Sequence, residues 1–416
     1  MSEAKIHNMQ VLTTNYFIEL EEKYGAHNYH PLPVVLSKAE GVHVWDVEGK
    51  HYYDFLSAYS AVNQGHCHPR LQQAMQEQAT KLTLTSRAFY NDVLGEYEKY
   101  ITELFGFDKV LPMNSGVEAV ETAIKLCRKW GYMIKGIAPN KAKIIVLEHN
   151  FHGRTSGVIS FSTDPSSRTD FGPYMPGYVV VPYNDLPALS IDLQDPDVAG
   201  LLVEPIQGEA GVVVPDEGYL AKAAQMCDEA NVLFMADEIQ TGLCRTGKML
   251  ACDYEGVKPD ILILGKALSG GMLPVSAVLA DDYIMLCIKP GEHGSTFGGN
   301  PLACKIAMTA LEILIDEKLA ENAFHMGNML RSALEKMDKE VINHVRGKGL
   351  LNAIIVQGYH GRDAWDFCMM LKNNGLLAKP THGDKIRFAP PLVINEEEMQ
   401  ECIAIIDKTV SDFKSH

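Results

Sequence analysis

The feature that most constrains this sequence is a series of five short apolar runs, each about the length of one strand. They occupy residues 144–147, 178–181, 198–203, 232–236 and 261–264. Between them lie helical patterns, such as residues 117–133 and 220–230, in which apolar residues recur every three or four positions. Runs that are apolar on both faces are typical of strands covered by helices on both sides. The sequence therefore predicts an α/β fold with a mostly parallel sheet and right-handed crossovers.

A chain of 416 residues is longer than one compact core usually organises. Residues 76–308 contain the apolar runs, and we expect them to form a large domain. Asn300 as N-cap and Pro301 at the first helical position predict a helix that leads out of this domain. Residues 309–416 are predicted to form a smaller α+β domain, which residues 1–75 join in space.

The composition excludes several classes of function. Lys and Arg total 37 against 53 Asp and Glu, a net charge of −16, so phosphate backbones and anionic membrane surfaces are repelled. No apolar run reaches the roughly 18 residues that a membrane helix needs. Nine cysteines without a Cys-x-x-Cys pair fit a reducing compartment, and the first twenty residues lack the features of a leader peptide. We therefore expect a cytoplasmic enzyme without nucleic-acid or membrane partners.

Polar side chains follow three of the apolar runs directly, namely Glu204, Asp237 and Lys266. In an open α/β sheet, ligands bind outside the carboxyl ends of the strands. These residues are therefore the first candidates for an active site. Desolvation of the Lys266 amine would lower its proton affinity and let it attack a carbonyl carbon. The alternative is a lysine that extends to solvent from a strand end.

Two further candidates each allow two interpretations. Asp237 needs a cationic partner if it is buried, either a protonated pyridine nitrogen or an ordinary salt-bridge residue. Ser115, Gly116 and Val117 begin a helix whose free N–H groups suit a phosphate, but Ser115 also fits a simple capping box.

The His66-Cys67-His68 sequence resembles a metal-binding pair, but Gly65 and Pro69 on either side mark a turn. No other cluster of ligand residues completes a site, so no metal is predicted.

Two long strings carry a family resemblance. Residues 237–247 (DEIQTGLCRTG) and 259–271 (PDILILGKALSGG) resemble the class III, or ω-amino acid, aminotransferases. These are pyridoxal-phosphate enzymes of fold type I, so the resemblance implies a large domain with a mostly parallel seven-stranded sheet and a smaller α+β domain. Further strings resemble the members of the class that act on L-ornithine: residues 24–29, 59–69, 86–90, 205–211, 289–296 and 345–351.

The resemblance implies roles around pyridoxal 5'-phosphate. Lys266 would carry the cofactor and move the proton, and Asp237 would pair with its ring nitrogen. The remaining cofactor contacts would be Ser115, Gly116 and Val117 at the phosphate, Phe151 on the ring face, Gln240 at the ring oxygen, and Thr296 reaching the phosphate from the other subunit of a homodimer.

The resemblance also implies how the two substrates bind. Tyr29 and Arg154 would hold the α-amino and α-carboxylate groups of L-ornithine, and the residues that complete its pocket would be Tyr59 and Glu204. Arg387 would bind the α-carboxylate of 2-oxoglutarate in the second half-reaction, because its planar fork matches that group. A bare Arg387 would repel the cationic donor, so Glu209 is expected to mask it in the first half-reaction.

Three alternatives remain open. A class member acting on acetylornithine or 4-aminobutyrate is opposed by Tyr29 and Tyr59. A semialdehyde aminomutase needs no 2-oxoglutarate and is opposed by Glu209 with Arg387.

The third alternative, a catalytically silent binding protein, is opposed by the joint presence of Lys266, Asp237 and Gln240. Cys244, within residues 237–247, is expected to be an inert thiol.

Overall fold

A computed structural model describes residues 13–415 of the chain, so the first twelve residues of the predicted N-terminal segment lie outside the described part. The helical segments are α1 (Thr14–Tyr24), α2 (Ser57–Ser60), α3 (Pro69–Ala79), α4 (Leu94–Phe105), α5 (Gly116–Trp130), α6 (Pro165–Arg168), α7 (Leu186–Asp192), α8 (Tyr219–Glu229), α9 (Asp282–Met285), α10 (Pro301–Asp316), α11 (Leu319–Leu334), α12 (Ala364–Asn374) and α13 (Glu396–Ser415).

The strands are β1 (Leu36–Glu40), β2 (His43–Asp46), β3 (His51–Asp54), β4 (Lys109–Met113), β5 (Lys143–Leu147), β6 (Tyr178–Val181), β7 (Val198–Val203), β8 (Leu233–Asp237), β9 (Ile261–Leu264), β10 (Ser276–Ala280), β11 (Ile342–Lys348), β12 (Leu351–Val356), β13 (Leu376–Leu377), β14 (Pro380–Thr381) and β15 (Lys385–Phe388). The predicted strands coincide with β6, β7 and β9, while β5 and β8 differ from the prediction by one residue at their ends.

A seven-stranded sheet forms the centre of the fold, in the order β4-β10-β9-β8-β7-β5-β6. The strands from β9 to β6 are parallel, and β10 is antiparallel to both of its neighbours. Every residue of β7, β8, β9 and β10 is buried, because α5 packs on one face of the sheet and α7 and α8 pack on the other. The predicted α/β class with a mostly parallel seven-stranded sheet is confirmed.

Two smaller four-stranded sheets flank this core. One is antiparallel, in the order β11-β12-β15-β14, and the other has the order β1-β2-β3-β13. Strand β13, from the C-terminal part, pairs in parallel with β3, so distant parts of the chain share one sheet. Helix α10 has the predicted Asn300 cap, whose side chain accepts from Ala303 N–H at 2.8 Å, and it runs without a break through residue 308. The domain boundaries themselves stay predictions.

Arg245, in the central part of the chain, forms hydrogen bonds to both the N-terminal and the C-terminal parts. Its guanidinium is fully buried in the loop after β8 and donates to Asn63 Oδ1 at 2.5 Å, to Leu350 O at 3.0 Å and to Pro390 O at 2.6 Å. Burial lowers the pKa of Arg245 to about 9. One side chain of the central part therefore satisfies acceptors from both the N-terminal and the C-terminal parts.

Two of the earlier expectations concern the state of the cysteine thiols and the absence of a membrane-spanning helix. All nine cysteines are unpaired, and Cys67 alone among them is exposed. Burial raises the pKa of Cys244 to about 12, as expected of an inert thiol. Of the helices within residues 13–415, none is long and apolar enough to cross a membrane.

The contact between α11 and the β11–β12 turn gives a test of the packing. A Cβ atom on Gly327 would lie 1.8 Å from Gly349 O, so the backbones could no longer approach. Gly327→Ala should destabilise the protein by about 3 kcal/mol, as expected for an overpacked backbone contact. Gly95→Ala is the matched control, because Gly95 also lies in a helix and nothing surrounds its Cβ position within 4 Å. Equal shifts of the thermal midpoint for the two variants would contradict this packing.

Candidate active site

The carboxyl ends of the central strands open into one cavity of about 200 Å³. It collects many of the residues predicted from the sequence: Gly116, Val117, Phe151, Glu204, Glu209, Asp237, Gln240 and Lys266. Four more residues line it, namely His152, Gly153, Ile239 and Thr241. Side chains that are far apart in the sequence therefore meet at one edge of the sheet.

The other predicted residues lie around this cavity or away from it. The centre of the Tyr59 ring lies 5.1 Å from the Arg387 guanidinium carbon. The guanidinium carbon of Arg154, an exposed residue, lies 5.4 Å from the centre of the Phe151 ring. Tyr29 is 66% exposed, and Thr296 is also exposed. The cavity lining includes neither Tyr29 nor Thr296.

Lys266 follows β9 in a constrained backbone conformation. Its φ of 46° lies in the left-handed region, which is rare for a residue with a side chain. The amine is partly buried in the cavity wall, and within residues 13–415 it has no hydrogen-bond acceptor. Burial lowers the pKa of Lys266 to about 8, with Arg387 acting in the same direction and Glu209 opposing. This lowered pKa gives the amine a larger neutral fraction near pH 7 than an exposed lysine has, so Lys266 is a candidate nucleophile and base.

The hydrogen-bond partner of the buried Asp237 carboxylate is His152. The Asp237 Oδ2 atom lies 2.7 Å from His152 Nδ1, and Oδ1 accepts from Ile239 N–H at 3.1 Å. Burial disfavours the charged imidazole, but the hydrogen bond and charge of Asp237 outweigh it and raise the pKa of His152. Asp237 thus has a salt-bridge partner within the protein, and its pairing with a cofactor nitrogen stays a prediction.

Sequence reasoning missed His152 as a site residue, because its contact with Asp237 joins residues 85 positions apart. The available signal was its position a few residues after β5, whose carboxyl end lies at the same edge of the sheet. The other ring nitrogen, His152 Nε2, is buried without a partner among the described residues.

Glu204 organises the backbone of the cavity. Its carboxylate accepts from Phe151 N–H at 2.8 Å and from Gly208 N–H at 3.3 Å. Burial raises the pKa of Glu204 to about 7. These contacts fix Phe151 against the cavity, and the substrate-binding role predicted for Glu204 stays a prediction.

A buried ion pair closes one side of the cavity. Arg387 Nη1, on β15, donates to Glu209 Oε1 at 2.8 Å and to Gln240 Oε1 at 3.2 Å. Gln240 Nε2 in turn donates to Glu209 at 3.3 Å. Burial alone raises the pKa of Glu209, but Arg387 and Lys266 outweigh it, so the net pKa is lowered and the carboxylate is charged.

The start of α5 forms the opposite end of the cavity. Ser115 and Glu118 make a capping box, in which Ser115 N–H donates to Glu118 Oε2 at 2.8 Å. Gly116 and Val117 follow in the first helical turn, where N–H groups have no intrahelical acceptor. A Cβ on Gly153 would lie 2.4 Å from Val117 Cγ2, so glycine is needed to keep this wall in place. An anionic group fits here, because the helix dipole and the N–H groups both favour negative charge.

The pKa of Lys266 can be tested directly in the ligand-free protein. The rate of modification by an amine reagent, followed by mass spectrometry, should rise with a midpoint near pH 8 at Lys266. Glu209→Gln should move this midpoint to lower pH, because the carboxylate that raises the pKa of Lys266 is removed. Glu340→Gln, at an exposed ion pair with Lys414, is the control and should change nothing at Lys266. A midpoint that stays constant or rises in Glu209→Gln would count against this electrostatic coupling.

Comparison with known proteins agrees with this geometry. Residues 24–410 match the model of the family described as aminotransferase class-III. The chain is 67% identical over 390 residues to a Drosophila melanogaster protein named ornithine aminotransferase, mitochondrial, covering 94% of this chain and 90% of that one. A crystal structure of the ornithine aminotransferase from Toxoplasma gondii ME49 superposes with a TM-score of 0.95 at 48% identity, covering 96% of both chains.

A second solved structure carries a different name. It is the acetylornithine aminotransferase from Elizabethkingia anophelis, with a TM-score of 0.89 and 60% identity, covering 96% of this chain and 100% of that one. Family model, relatives and structures all agree on the class of enzyme. The chain belongs to the class-III aminotransferases, a family of pyridoxal-phosphate-dependent enzymes.

Proposed function

We propose that this chain is an ornithine δ-aminotransferase that moves the terminal amino group of L-ornithine to 2-oxoglutarate. The products are glutamate and glutamate 5-semialdehyde, which cyclises to pyrroline-5-carboxylate. The reaction runs in two halves, with the donor product leaving before the acceptor enters. The observation that carries the proposal is the ion pair of Glu209 with the buried Arg387 beside Lys266, because a pair that opens for the second substrate would give one cavity two charge states.

The residues of the cavity fit pyridoxal 5'-phosphate. A flat pyridine ring would lie against Phe151, with its nitrogen towards Asp237 and its phosphate at the N–H groups of Gly116 and Val117. Gln240 would lie at the ring oxygen, and Ser115 supports the phosphate end through its capping box. When bound, this cofactor acts as an electron sink that acidifies the C–H bond next to the transferred amine.

Lys266 is the residue that holds and moves the proton. Its depressed pKa allows the amine to accept a proton at one stage and return it at the next near neutral pH. The same amine is the attachment point for the cofactor, since it lies in the cavity without another partner. The buried contact between His152 and Asp237 keeps the Asp237 carboxylate oriented towards the cavity.

The first half-reaction depends on the masking of Arg387. L-Ornithine is cationic at its terminal amine, and an unpaired buried guanidinium would repel this end and attract the carboxylate instead. With Glu209 Oε1 at 2.8 Å from Arg387 Nη1, the ion pair as a whole presents no net charge to the cavity. The α-carboxylate then goes to Arg154 on the exposed side, the α-amine goes to Tyr29, and the terminal amine reaches Lys266, with Tyr59 and Glu204 completing the pocket.

The second half-reaction needs the opposite arrangement. Breaking a buried ion pair by removing one partner costs about 3–5 kcal/mol. Glu209 therefore leaves Arg387 only when another anion takes its place. A carboxylate of 2-oxoglutarate can take its place, because it offers the same two oxygens to the guanidinium fork. Exchange of one carboxylate for another thus lets a cationic donor and an anionic acceptor use the same cavity.

The assembly and the compartment complete the proposal. A homodimer would allow the exposed Thr296 of each subunit to contact the cofactor phosphate of the other. The predicted compartment is the cytoplasm, and the mitochondrion is the alternative that the name of the Drosophila melanogaster relative favours. Cell fractionation distinguishes the two.

A second donor deserves a direct comparison, because the Elizabethkingia anophelis neighbour is named for acetylornithine. Acetylation removes the charge of the α-amine and adds bulk where Tyr29 and Tyr59 are placed. These two side chains therefore determine which donor is accepted.

The test is a donor panel with 2-oxoglutarate as the acceptor. We expect kcat/KM for L-ornithine to exceed that for N-acetylornithine and 4-aminobutyrate by about 10⁴-fold, the size of effect seen when a site's polar groups are left unmatched. L-Ornithine should also bleach the visible absorbance of the purified enzyme. Lys266→Ala is the control and should give neither turnover nor bleaching. Equal or better turnover of N-acetylornithine would reject L-ornithine as the donor.

A further inference from the structure

The loop of residues 289–297 lies along one face of α5. Ser295 Oγ accepts from Asn114 Nδ2 at 2.8 Å, just before the helix begins. The His293 ring lies 2.8 Å from both Thr122 Oγ1 and Lys125 Nζ, and Glu292 forms an ion pair with Lys129 one turn further on. Thr122, Lys125 and Lys129 lie three and four positions apart, so they form one stripe on the helix.

The hydrogen bonds fix the His293 ring in one orientation. The Thr122 hydroxyl donates to Glu118 O at 2.7 Å, so it has no proton left for His293. His293 Nε2–H therefore donates to Thr122 Oγ1, and Nδ1 accepts from the Lys125 ammonium. This tautomer requires a neutral ring, and burial together with Lys125 does lower the pKa of His293.

The residue held by this loop is Thr296. Its side chain is exposed and does not line the cavity of its own subunit. Ser295 Oγ also accepts from Gly298 N–H at 3.1 Å, and this bond spans Thr296 and closes the turn around it. Three residues before Thr296, His293 anchors the loop to α5. The position of Thr296 is therefore set by the turn that closes around it and by the His293 anchor that precedes it, and none of these residues lines the cavity.

We propose that His293 and Ser295 are positioning residues that hold Thr296 for the cofactor site of the other subunit. This rests on the proposed function, in which Thr296 crosses the dimer to the phosphate. Helix α5 then serves two sites. Its first turn, at Gly116 and Val117, lines the cavity of its own subunit, while its side supports the loop that completes the other one.

A purely structural role for His293 makes a different prediction. If the ring only stabilised α5, its loss would weaken the cofactor site of the same subunit, through Gly116 and Val117. If it positions Thr296, the weakened site is in the opposite subunit. The two possibilities are separated by asking which of the two sites is affected.

Mixed dimers with a single Lys266 site answer this question. In the first, a Lys266→Ala chain is paired with a His293→Ala chain, so the remaining Lys266 site draws Thr296 from a chain with intact His293. In the second, a wild-type chain is paired with a Lys266→Ala/His293→Ala chain, so the remaining site draws Thr296 from the altered loop. Both dimers contain the same substitutions, so any general loss of stability is matched.

The readout is the rate at which the absorbance of the Lys266-bound cofactor is lost in cofactor-free buffer. We expect loss to be about tenfold faster in the second dimer than in the first, the effect of weakening one hydrogen bond to a charged group. The first should match a dimer of wild type with Lys266→Ala. Faster loss in the first dimer alone, or equal rates in both, would overturn the proposal.

A third dimer separates this proposal from the function on which it rests. It pairs wild type with Lys266→Ala/Thr296→Ala, and normal cofactor retention there would reject the cross-subunit contact of Thr296 itself. If Thr296→Ala weakens retention but His293→Ala does not, only the positioning role fails. His293→Gln, which keeps a donor and an acceptor, should restore much of the retention, and Ser295→Ala provides a second variant if His293→Ala does not fold.

Discussion

A buried guanidinium needs acceptors for its N–H groups, and the Arg387 guanidinium, at the edge of the cavity, has the Glu209 carboxylate as its ion-pair partner. Arg387 belongs to β15 of the C-terminal antiparallel sheet, while Glu209 follows β7 of the central sheet. Their ion pair therefore joins two sheets directly above the cavity. In a chain with a net charge of −16, the pair also controls whether an anion meets a local positive charge.

Much of the central sheet was predictable from the sequence, because strands buried on both faces have to be apolar throughout. Residues 198–203 and 261–264 illustrate this, since both runs have the same bounds as strands β7 and β9. Strands β4 and β10 were not predicted, because β4 contains a proline and a lysine and β10 is rich in small residues. The turn α2 was not predictable either, since all four of its residues, including Tyr59, have positive φ without a glycine.

The site was predictable to the extent that strand ends determine it. Glu204, Asp237 and Lys266 follow parallel strands, so they meet at one edge for a topological reason. The contact between His152 and Asp237 joins residues 85 positions apart, so the position of His152 after β5 does not indicate which residue it contacts. The support of the 289–297 loop by α5 is of the same kind, because it depends on side chains that meet only after the fold has formed. The roles of Tyr29, Arg154 and Thr296 come from family resemblance alone.

The account depends on Glu209 and Arg387 being paired for one substrate and apart for the other. The most direct measurement is a pair of crystal structures of the enzyme, one with L-ornithine bound to Lys266→Ala and one with 2-oxoglutarate. With L-ornithine, the distance from Arg387 Nη1 to Glu209 Oε1 should stay near 2.8 Å. With 2-oxoglutarate, it should exceed about 4 Å, the limit of an ion pair, with a substrate carboxylate on Arg387 instead. The same distance in both structures would contradict the switch.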